Sequence, residues 1–412
     1  GYNPLLADRL RAVLPACVEN DIRVVTSMGA ANPTGAADRA RAIATALGYP
    51  GLEVASVAGS DVVDRFDALA PETFDGEPTA DYADDAVAAD AYLGIAGIVE
   101  ALEAGADLII TGRVGDSSLF LAPMAHEFGW SLDPLDEPTV VGQGLVAAHL
   151  IECAGQVTGG YHADPGNVDV PDLAGLGFPV AEVTPGGEVA ITKSPDTGGE
   201  ITERSCTEQL CYEVHDPANY LTPDAVADFS GVSLERVGPD RVRVTGATAK
   251  PRPETLKVSI GYDAGVRGVG EISYAGPGAE ERARLAGDVV RERLGRREVP
   301  VEDLRVDLVG VDALHGPLGA DGDPYEVRLR VAAACRTEAA ARAVAREVET
   351  LYTNGPAGGG GARMDVSRTV GVVSTLVDRD EVSPVVEVAP ARETSEDAAG
   401  DVLDVTGVVD AR

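Results

Sequence analysis

One stretch, Thr111–Ser118, carries the most distinctive arrangement of chemical groups in the chain, directly after an apolar run. Its glycines free the backbone to present N–H groups at the start of a predicted helix, where an anion or an oxyanion can bind. Arg113 adds a guanidinium fork that suits a carboxylate or a phosphate, and Asp116 is a candidate base. The alternative is that Asp116 caps the helix and pairs with Arg113. The candidate substrate-binding residues here are Gly112, Arg113, Gly115 and Ser117.

A second stretch, 152–164, joins an acid, a thiol, an amide, a hydroxyl and an imidazole in one loop interrupted by glycines. Cys153 beside Glu152 is a candidate nucleophile with its base, and the alternative is a small buried hydrophobic residue, because no cation adjoins Cys153. His162 is close enough to Asp164 to share a proton or a metal ion. Candidate ligand contacts in this stretch are Gln156, Thr158, Gly159, Gly160 and Asp164.

Three shorter motifs complete the set of candidates. Gly29 allows a turn after a strand-like run, and Asn32 followed by proline is typical of a helix cap. Ligand contacts from Ser27, Gly29 and Asn32 are the functional alternative. His215 next to an aspartate is a candidate general base, although Asp-Pro also begins turns. A glycine-rich loop that starts at Asn354 and Gly355 predicts either close backbone approach to a ligand or a hinge.

The first half of the chain alternates strand-like and helix-like runs, which predicts a parallel sheet covered by helices on both faces. The glycine loops then fall at the carboxyl ends of strands, where such sheets bind ligands. The predicted strands are 22–26, 52–57 and 107–111. The predicted helices are 8–19, 34–47, 84–104, 117–128 and 142–154.

From about residue 232 the pattern changes to successive strands and two helices. The predicted strands are 241–245, 255–261, 269–275, 304–311, 325–333 and 369–377, and the predicted helices are 279–294 and 338–351. This order is typical of a split βαβ layer. We therefore predict an α/β protein with a mostly parallel, Rossmann-like layered sheet followed by an α+β, split βαβ-like domain.

The predicted domain boundaries are 1–225, 226–390 and an acidic tail over 391–412. The boundary between the two domains falls in the Pro- and Asp-containing stretch 215–231, and an interleaved arrangement is the alternative. The last twenty residues are predicted to be either a mobile tail or a docked edge strand.

The charge balance is strongly acidic, with 33 Lys+Arg against 68 Asp+Glu and a net charge of −35. Because 44% of the residues are hydrophobic, the chain can still fold. The absence of a basic cluster argues against a nucleic-acid partner and against binding to an anionic membrane. With only three lysines, the composition predicts a halophile-like surface, and an ordinary acidic enzyme is the alternative.

Cysteine and histidine counts limit the redox and metal chemistry. Five widely spread cysteines predict no disulfide framework and no zinc site, and five histidines offer no obvious metal site. The sequence contains neither a signal peptide pattern nor an apolar run long enough to cross a membrane, which predicts a cytoplasmic location. Because the chain starts at Gly1 rather than Met, we expect its natural start to lie upstream.

Several of these motifs together resemble the acyclic terpene utilisation AtuA family. The resemblance spans nearly the whole chain and rests on four stretches. They are Thr111-Gly112-Arg113 with Asp116; Glu152-Cys153 with Gln156–Gly160; Tyr212–Pro217 with Tyr220 and Thr222-Pro223-Asp224; and Thr353–Pro356 with its glycines. The family usually has another strand–helix segment before the point where this chain begins, which implies a truncated start.

The resemblance implies a role in breaking down branched, acyclic terpenoid acids through coenzyme A thioesters. It implies no cofactor other than coenzyme A as part of the substrate, and it carries no settled catalytic residues. Two functions follow: a hydratase or C–C lyase that uses a base and oxyanion donors, or a non-catalytic partner in an acyl-CoA carboxylase or degradation complex. Expected partners are a small acyl-CoA or carboxylic acid, another copy of the chain, and acyl-CoA carboxylase-type enzymes.

Overall fold

The computed structural model describes residues 1–316, 322 and 324–392 and divides the chain into two compact units. Unit 1 comprises Gly1–Ala80, Ala88–Ser259 and the described residues from Ser374 on, and unit 2 comprises Asp81–Val87 and Ile260–Val373. Unit 1 is thus discontinuous in sequence.

The described chain contains eight long helices and sixteen strands. The helices are α1 Leu6–Glu19, α2 Pro33–Ala46, α3 Ala96–Glu103, α4 Ser118–Phe128, α5 Pro138–Glu152, α6 Glu203–Cys211, α7 Ala279–Arg296 and α8 Glu338–Asn354. The strands are β1 Val24–Thr26, β2 Glu53–Ala58, β3 Ala86–Ala91, β4 Leu108–Thr111, β5 Pro179–Val183, β6 Val189–Lys193, β7 Tyr220–Leu221, β8 Val226–Asp228, β9 Ser233–Gly238, β10 Arg241–Thr245, β11 Thr248–Lys250, β12 Thr255–Ala275, β13 Asp303–Val309, β14 Glu326–Cys335, β15 Gly360–Asp378 and β16 Val385–Pro390. No described helix is both long and apolar enough to cross a membrane.

A four-stranded sheet in the order β1-β4-β2-β16 lies at the centre of the first layer of unit 1. The pairs β1–β4 and β2–β4 are parallel, as predicted, and helices cover both faces. Alternate β4 residues show this, because Leu108 and Ile110 pack with α1 and α2 while Ile109 packs with α3 and α4. The prediction of an α/β fold with a parallel, doubly covered sheet is therefore confirmed.

Strand β16 closes this sheet by pairing antiparallel with β2 along its whole length. The sequence analysis predicted no strand at this position. Of the predicted tail 391–412, residues 393–412 lie outside the described residues, so the choice between a tail and a docked strand stays open there.

A second core of unit 1 forms around α5, which is almost entirely buried. Small antiparallel sheets pack against α5 in the orders β5-β6-β10-β9 and β11-β8-β7. Val242 and Val244 of β10 belong to this core, which explains why the compact unit extends beyond the predicted boundary at residue 225.

Unit 2 has the split βαβ topology that the sequence predicted. Its strands follow the order β13-β14-β12-β15, and the ladders β12–β14 and β13–β14 are antiparallel. Helices α7 and α8 both pack on β14. The two separate strands predicted over 255–275 form the single long strand β12.

The helix predicted over 84–104 is wrong in its first half, where strand β3 runs from Ala86 to Ala91. Two backbone hydrogen bonds show the cause: Val62 N–H donates to Ala89 O at 2.8 Å, and Ala91 N–H donates to Ser60 O at 2.8 Å. This alanine-rich run has helical propensity, but pairing with β12 and with a segment about thirty residues earlier in the chain holds it extended.

Candidate functional site

A cavity of about 310 Å³ in unit 1 brings together residues from the loop after β4, the end of α5, β7 and the start of β12. Phe74, Leu221, Leu256 and Leu376 form an apolar part of its wall. The groups in the wall that can do chemistry are Tyr92, Asp116, Ser117, Glu152, Tyr220 and Lys257. An apolar wall with a few polar groups is typical of a small-molecule site.

The loop between β4 and α4 is fixed at both ends by backbone hydrogen bonds. Gly112 N–H donates to Val57 O and Gly115 N–H donates to Leu93 O, each at 2.9 Å. Within the described residues, the N–H groups of Asp116 and Ser117 have no hydrogen-bond partner. Both residues line the cavity, so the start of α4 offers two free donors there.

Asp116 neither caps α4 nor pairs with Arg113, which was the alternative to a functional role. The helix cap is Ser117, without a side-chain cap hydrogen bond, and the Asp116 carboxylate is exposed. In the part of the chain that the structure describes, Asp116 forms no salt bridge with Arg113. Arg113 lies instead over the Tyr92 ring, with its guanidinium carbon 5.1 Å from the ring centroid.

Tyr92 is flanked by a second cation, because Lys257 Nζ also lies 5.1 Å from its ring centroid. Neither Arg113 nor Lys257 forms a salt bridge with any described residue. Two cations without an acidic partner stand out in a chain with a net charge of −35. Lys257 lines the cavity, whereas Arg113 contacts the same ring from outside the cavity wall. Together they make the surroundings of Tyr92 suited to an anionic group.

Glu152 ends α5 and reaches the cavity with its side chain 11% exposed. Its Oε1 lies 3.0 Å from Nδ1 of His149, one helical turn earlier. Burial raises the pKa of Glu152, and Asp116 and Glu213 raise it further, whereas the hydrogen bond with His149 opposes the shift. A carboxylate with a raised pKa at a cavity wall is a strong candidate general base.

Tyr220 of β7 lines the same cavity and lies with its ring centroid 5.2 Å from that of His149. Burial raises the pKa of Tyr220, and the negative charge of Glu152 raises it further. The hydroxyl therefore stays protonated. Among the described residues it makes no hydrogen bond, so it is a neutral donor available to a ligand.

Asp224, next to the cavity-lining residue Pro223, links the residue before α3 to the start of α4. Its Oδ1 accepts from Ile95 N–H at 2.8 Å, and its Oδ2 accepts from the Ser118 hydroxyl at 2.5 Å at the start of α4. Burial raises the pKa of Asp224. The preceding Pro223 packs so closely on Gly115 that an added Cβ would lie 2.8 Å from the proline ring.

Cys153 follows Glu152 but is not activated as a nucleophile. Burial raises the pKa of the Cys153 thiol, and the nearby carboxylates of Glu152 and Glu213 raise it further. Among the described residues, no cation contributes to the pKa of this thiol, which favours the neutral thiol.

The two histidines predicted as candidate bases do not line the cavity. His162 is buried and contacts Glu208 of α6 through Nδ1. His215 is exposed, and its Nδ1 lies 3.2 Å from Glu213 O rather than beside Asp216. Asp216 accepts hydrogen bonds from Ala218 and Asn219 instead, as expected for the start of a turn.

The remaining candidates of the stretch 152–164 organise its own loop. The Thr158 hydroxyl donates to the carbonyl oxygens of Gly155 and Gly177, and Asp164 accepts from the Asn167 amide. Gly159 has a positive φ of 113°. Gln156, Gly160 and these residues lie outside the cavity wall.

The candidates near the ends of two helices have packing and capping roles. Asn32 caps α2 by accepting from Gly35 N–H at 2.9 Å, as the capping alternative predicted. A Cβ on Gly29 would lie 2.4 Å from Thr111 O, and Ser27 is exposed outside the cavity wall. Asn354 ends α8 in unit 2, and Gly355 is its C-cap with extended backbone.

Four residues of the site were not predicted from the sequence: Tyr92, His149, Tyr220 and Lys257. Two of these carried a signal in the sequence. Tyr220 belongs to a stretch on which the family resemblance rests, and the spacing of three residues between His149 and Glu152 places both on one helix face. Within the described residues, no group of three or more acidic, cysteine or histidine side chains could hold a metal ion.

Comparisons with known proteins support one assignment. Searches of curated proteins and of solved structures return no match. A family model described as acyclic terpene utilisation family protein AtuA matches residues 1–388, which is most of the chain. The chain therefore belongs to the acyclic terpene utilisation AtuA family.

Proposed function

We propose that the protein binds a branched acyl-CoA, or a related carboxylic acid, in the unit 1 cavity and acts on it as a hydratase or lyase. Membership of the family supports the wider role in acyclic terpene utilisation. The observation that carries the proposal is the composition of the cavity wall. It combines an apolar surface, the partly buried carboxylate of Glu152 and the cation Lys257, which has no acidic partner among the described residues. Arg113 lies outside the wall, against the Tyr92 ring that Lys257 also contacts.

Each group has a role in this proposal. Glu152 accepts the proton from the carbon next to the thioester carbonyl, which leaves the electron pair as an enolate. The free N–H groups of Asp116 and Ser117 stabilise the enolate oxygen, and the Tyr220 hydroxyl donates a hydrogen bond to a substrate oxygen. Lys257 and Arg113 attract the anionic part of the ligand.

The test is to incubate the protein with a panel of unsaturated and 3-hydroxyacyl-CoAs and to detect products by mass. We expect Glu152→Gln to lower turnover by about 10²–10⁴-fold, because the variant lacks the base, while ligand affinity stays near the wild-type value. Lys257→Ala should instead raise the Kd for the ligand by about tenfold, since a contact with a charged group is lost.

The control is Lys193→Ala, which removes the same charge outside the cavity wall. Lys193 donates to Thr197 O and forms an ion pair with Asp240. The Kd of this variant should equal that of the wild type. Equal losses in both lysine variants would mean that only net charge matters and would contradict a local anion site.

A second candidate function, a non-catalytic partner in an acyl-CoA carboxylase or degradation complex, is favoured by two exposed apolar side chains in the segment between α5 and β5. Tyr161 is 93% exposed and Phe178 is 61% exposed. Exposed apolar side chains mark a contact surface where they form one continuous patch. Absence of turnover on the whole panel, together with stable co-purification of a carboxylase, would favour this second function.

A further inference from the structure

His149 lies beneath the cavity wall in the last turn of α5, with its side chain 1% exposed. Its ring packs against Tyr220 at 5.2 Å and against Phe229 at 5.7 Å between centroids. One ring nitrogen, Nδ1, lies 3.0 Å from Glu152 Oε1. The other, Nε2, is buried and has no hydrogen-bond partner among the described residues.

The different surroundings of the two ring nitrogens of His149 favour one protonation state of the ring. A proton on Nε2 would bury an N–H donor without an acceptor, which is more costly and rarer than an unpaired acceptor. A proton on Nδ1 is instead satisfied by the Glu152 carboxylate. The neutral Nδ1–H form therefore fits the site, and the imidazolium, which carries both protons, does not.

The end of the helix that carries this pair is also fixed. The side-chain amide of Gln209 in α6 donates to His149 O at 3.0 Å inside the protein. The charged and titratable groups around Glu152 are His149 on α5, Asp116 before α4, Cys153 and Glu213 after helices α5 and α6, and Tyr220 on β7. Among them, His149 stabilises the ionised form of Glu152 through its hydrogen bond to the carboxylate.

We infer that His149 is a positioning residue whose Nδ1–H donates to Glu152 Oε1 and thereby leaves Oε2 as the acceptor that faces the ligand. The inference rests on the proposed function in one respect, namely that Glu152 is the base. His149 itself touches no ligand. Its role is to fix the orientation of the carboxylate and to favour its ionised form.

The first test uses the wild-type protein labelled with ¹⁵N only in histidine, of which the chain has five. The spectrum of His149→Asn identifies the His149 signals by their loss. We expect a protonated Nδ1 and an unprotonated Nε2 near neutral pH. A protonated Nε2, in either the other tautomer or the imidazolium, would overturn the inference.

The second test titrates Glu152 without any substrate. A protonated carboxyl group has an infrared carbonyl band, and the intensity of this band is recorded as pH changes. The spectrum of the same protein carrying Glu152→Gln is subtracted at each pH, so that the remaining band belongs to Glu152. In His149→Leu we expect the Glu152 midpoint to rise by about one pH unit, as for the loss of one hydrogen bond to a charged group. In His149→Asn the side-chain amide replaces Nδ1–H, so the midpoint should stay near the wild-type value.

An unchanged Glu152 midpoint in His149→Leu would also overturn the inference. If His149→Leu fails to fold, the protonation state of His149 in the labelled wild-type protein decides the question. Both readouts are independent of turnover. A protein that turns over no acyl-CoA but shows the predicted tautomer and midpoints would contradict the proposed function alone.

Discussion

At the scale of single residues, the candidate site is a mixture of predicted and unpredicted groups. Asp116 and Glu152 were predicted from motifs next to glycine turns, and both line the cavity. Tyr92 and Lys257 could not be predicted, because they are far apart in sequence and Tyr92 lies in a stretch predicted as helix. Motifs reveal groups that lie near one another in sequence, whereas these contacts depend on how distant strands meet.

Asp224 provides a prediction about stability at the same scale. Burial raises the pKa of Asp224 in the folded state above its ordinary value of 3.8. The folded state therefore binds the proton of the Asp224 carboxyl group more tightly than the unfolded state does. The contribution of this group to the free energy of unfolding is therefore greatest below pH 3.8 and decreases as pH rises through the native pKa. Asp224→Asn, which cannot ionise, should lack this decrease.

The measurement is urea unfolding of both proteins over a series of pH values. Asp224→Ala is the comparison variant, and it should lose about 1–3 kcal/mol at every pH, because Ile95 N–H loses its buried acceptor. Identical pH profiles for the wild type and Asp224→Asn would contradict the prediction.

At the scale of helices and strands, the sequence predicted most of the elements but not all of their partners. Periodicity identified α1, α7 and α8 because each buries one apolar face. It did not identify β3, whose alanines favour a helix locally, or β16, whose partner β2 is more than three hundred residues away. Strand pairing is non-local, so single-sequence patterns miss it most often.

The packing of α5 on β11 leads to a second stability prediction. A Cβ on Gly142 would lie 2.3 Å from the Cα and carbonyl carbon of Thr248, and both are backbone atoms that cannot move aside. Gly142→Ala should therefore lower the free energy of unfolding by about 1–3 kcal/mol, as overpacked substitutions do. Chemical unfolding followed by circular dichroism measures this loss.

Gly295 of α7 is the matched control, because an added Cβ there meets no atom within 4 Å and its backbone is helical. Gly295→Ala should stabilise the protein by up to about 1 kcal/mol through helix propensity. If both substitutions stabilised the protein, the close approach of α5 to β11 would not be what requires glycine at position 142.

At the scale of the whole molecule, the net charge of −35 is the dominant electrostatic feature. Several arginines pair with acids on the surface, such as Arg284 with Glu280, but exposed pairs contribute little. Repulsion among the excess carboxylates should therefore outweigh them. The halophile-like surface predicted from composition stays a prediction.

That prediction can be tested by urea unfolding at increasing KCl concentration. The Debye length decreases from about 10 Å at 0.1 M to about 3 Å at 1 M salt, which screens the repulsion. We expect the free energy of unfolding to rise over this range. KCl is preferable to sulfate, because sulfate stabilises proteins by exclusion from their surface. A constant or decreasing stability would favour an ordinary acidic protein.

The position of β16 has a consequence for synthesis of the protein. Translation makes β2 early, but the strand that covers its edge emerges from the ribosome only after residue 390 has been added, tens of seconds later at about 5–20 residues per second. During that time the β2 edge has unpaired backbone groups that other nascent chains can bind. Unit 2 is synthesised entirely within this interval, so the vulnerable period of the nascent chain depends on the length of the inserted unit.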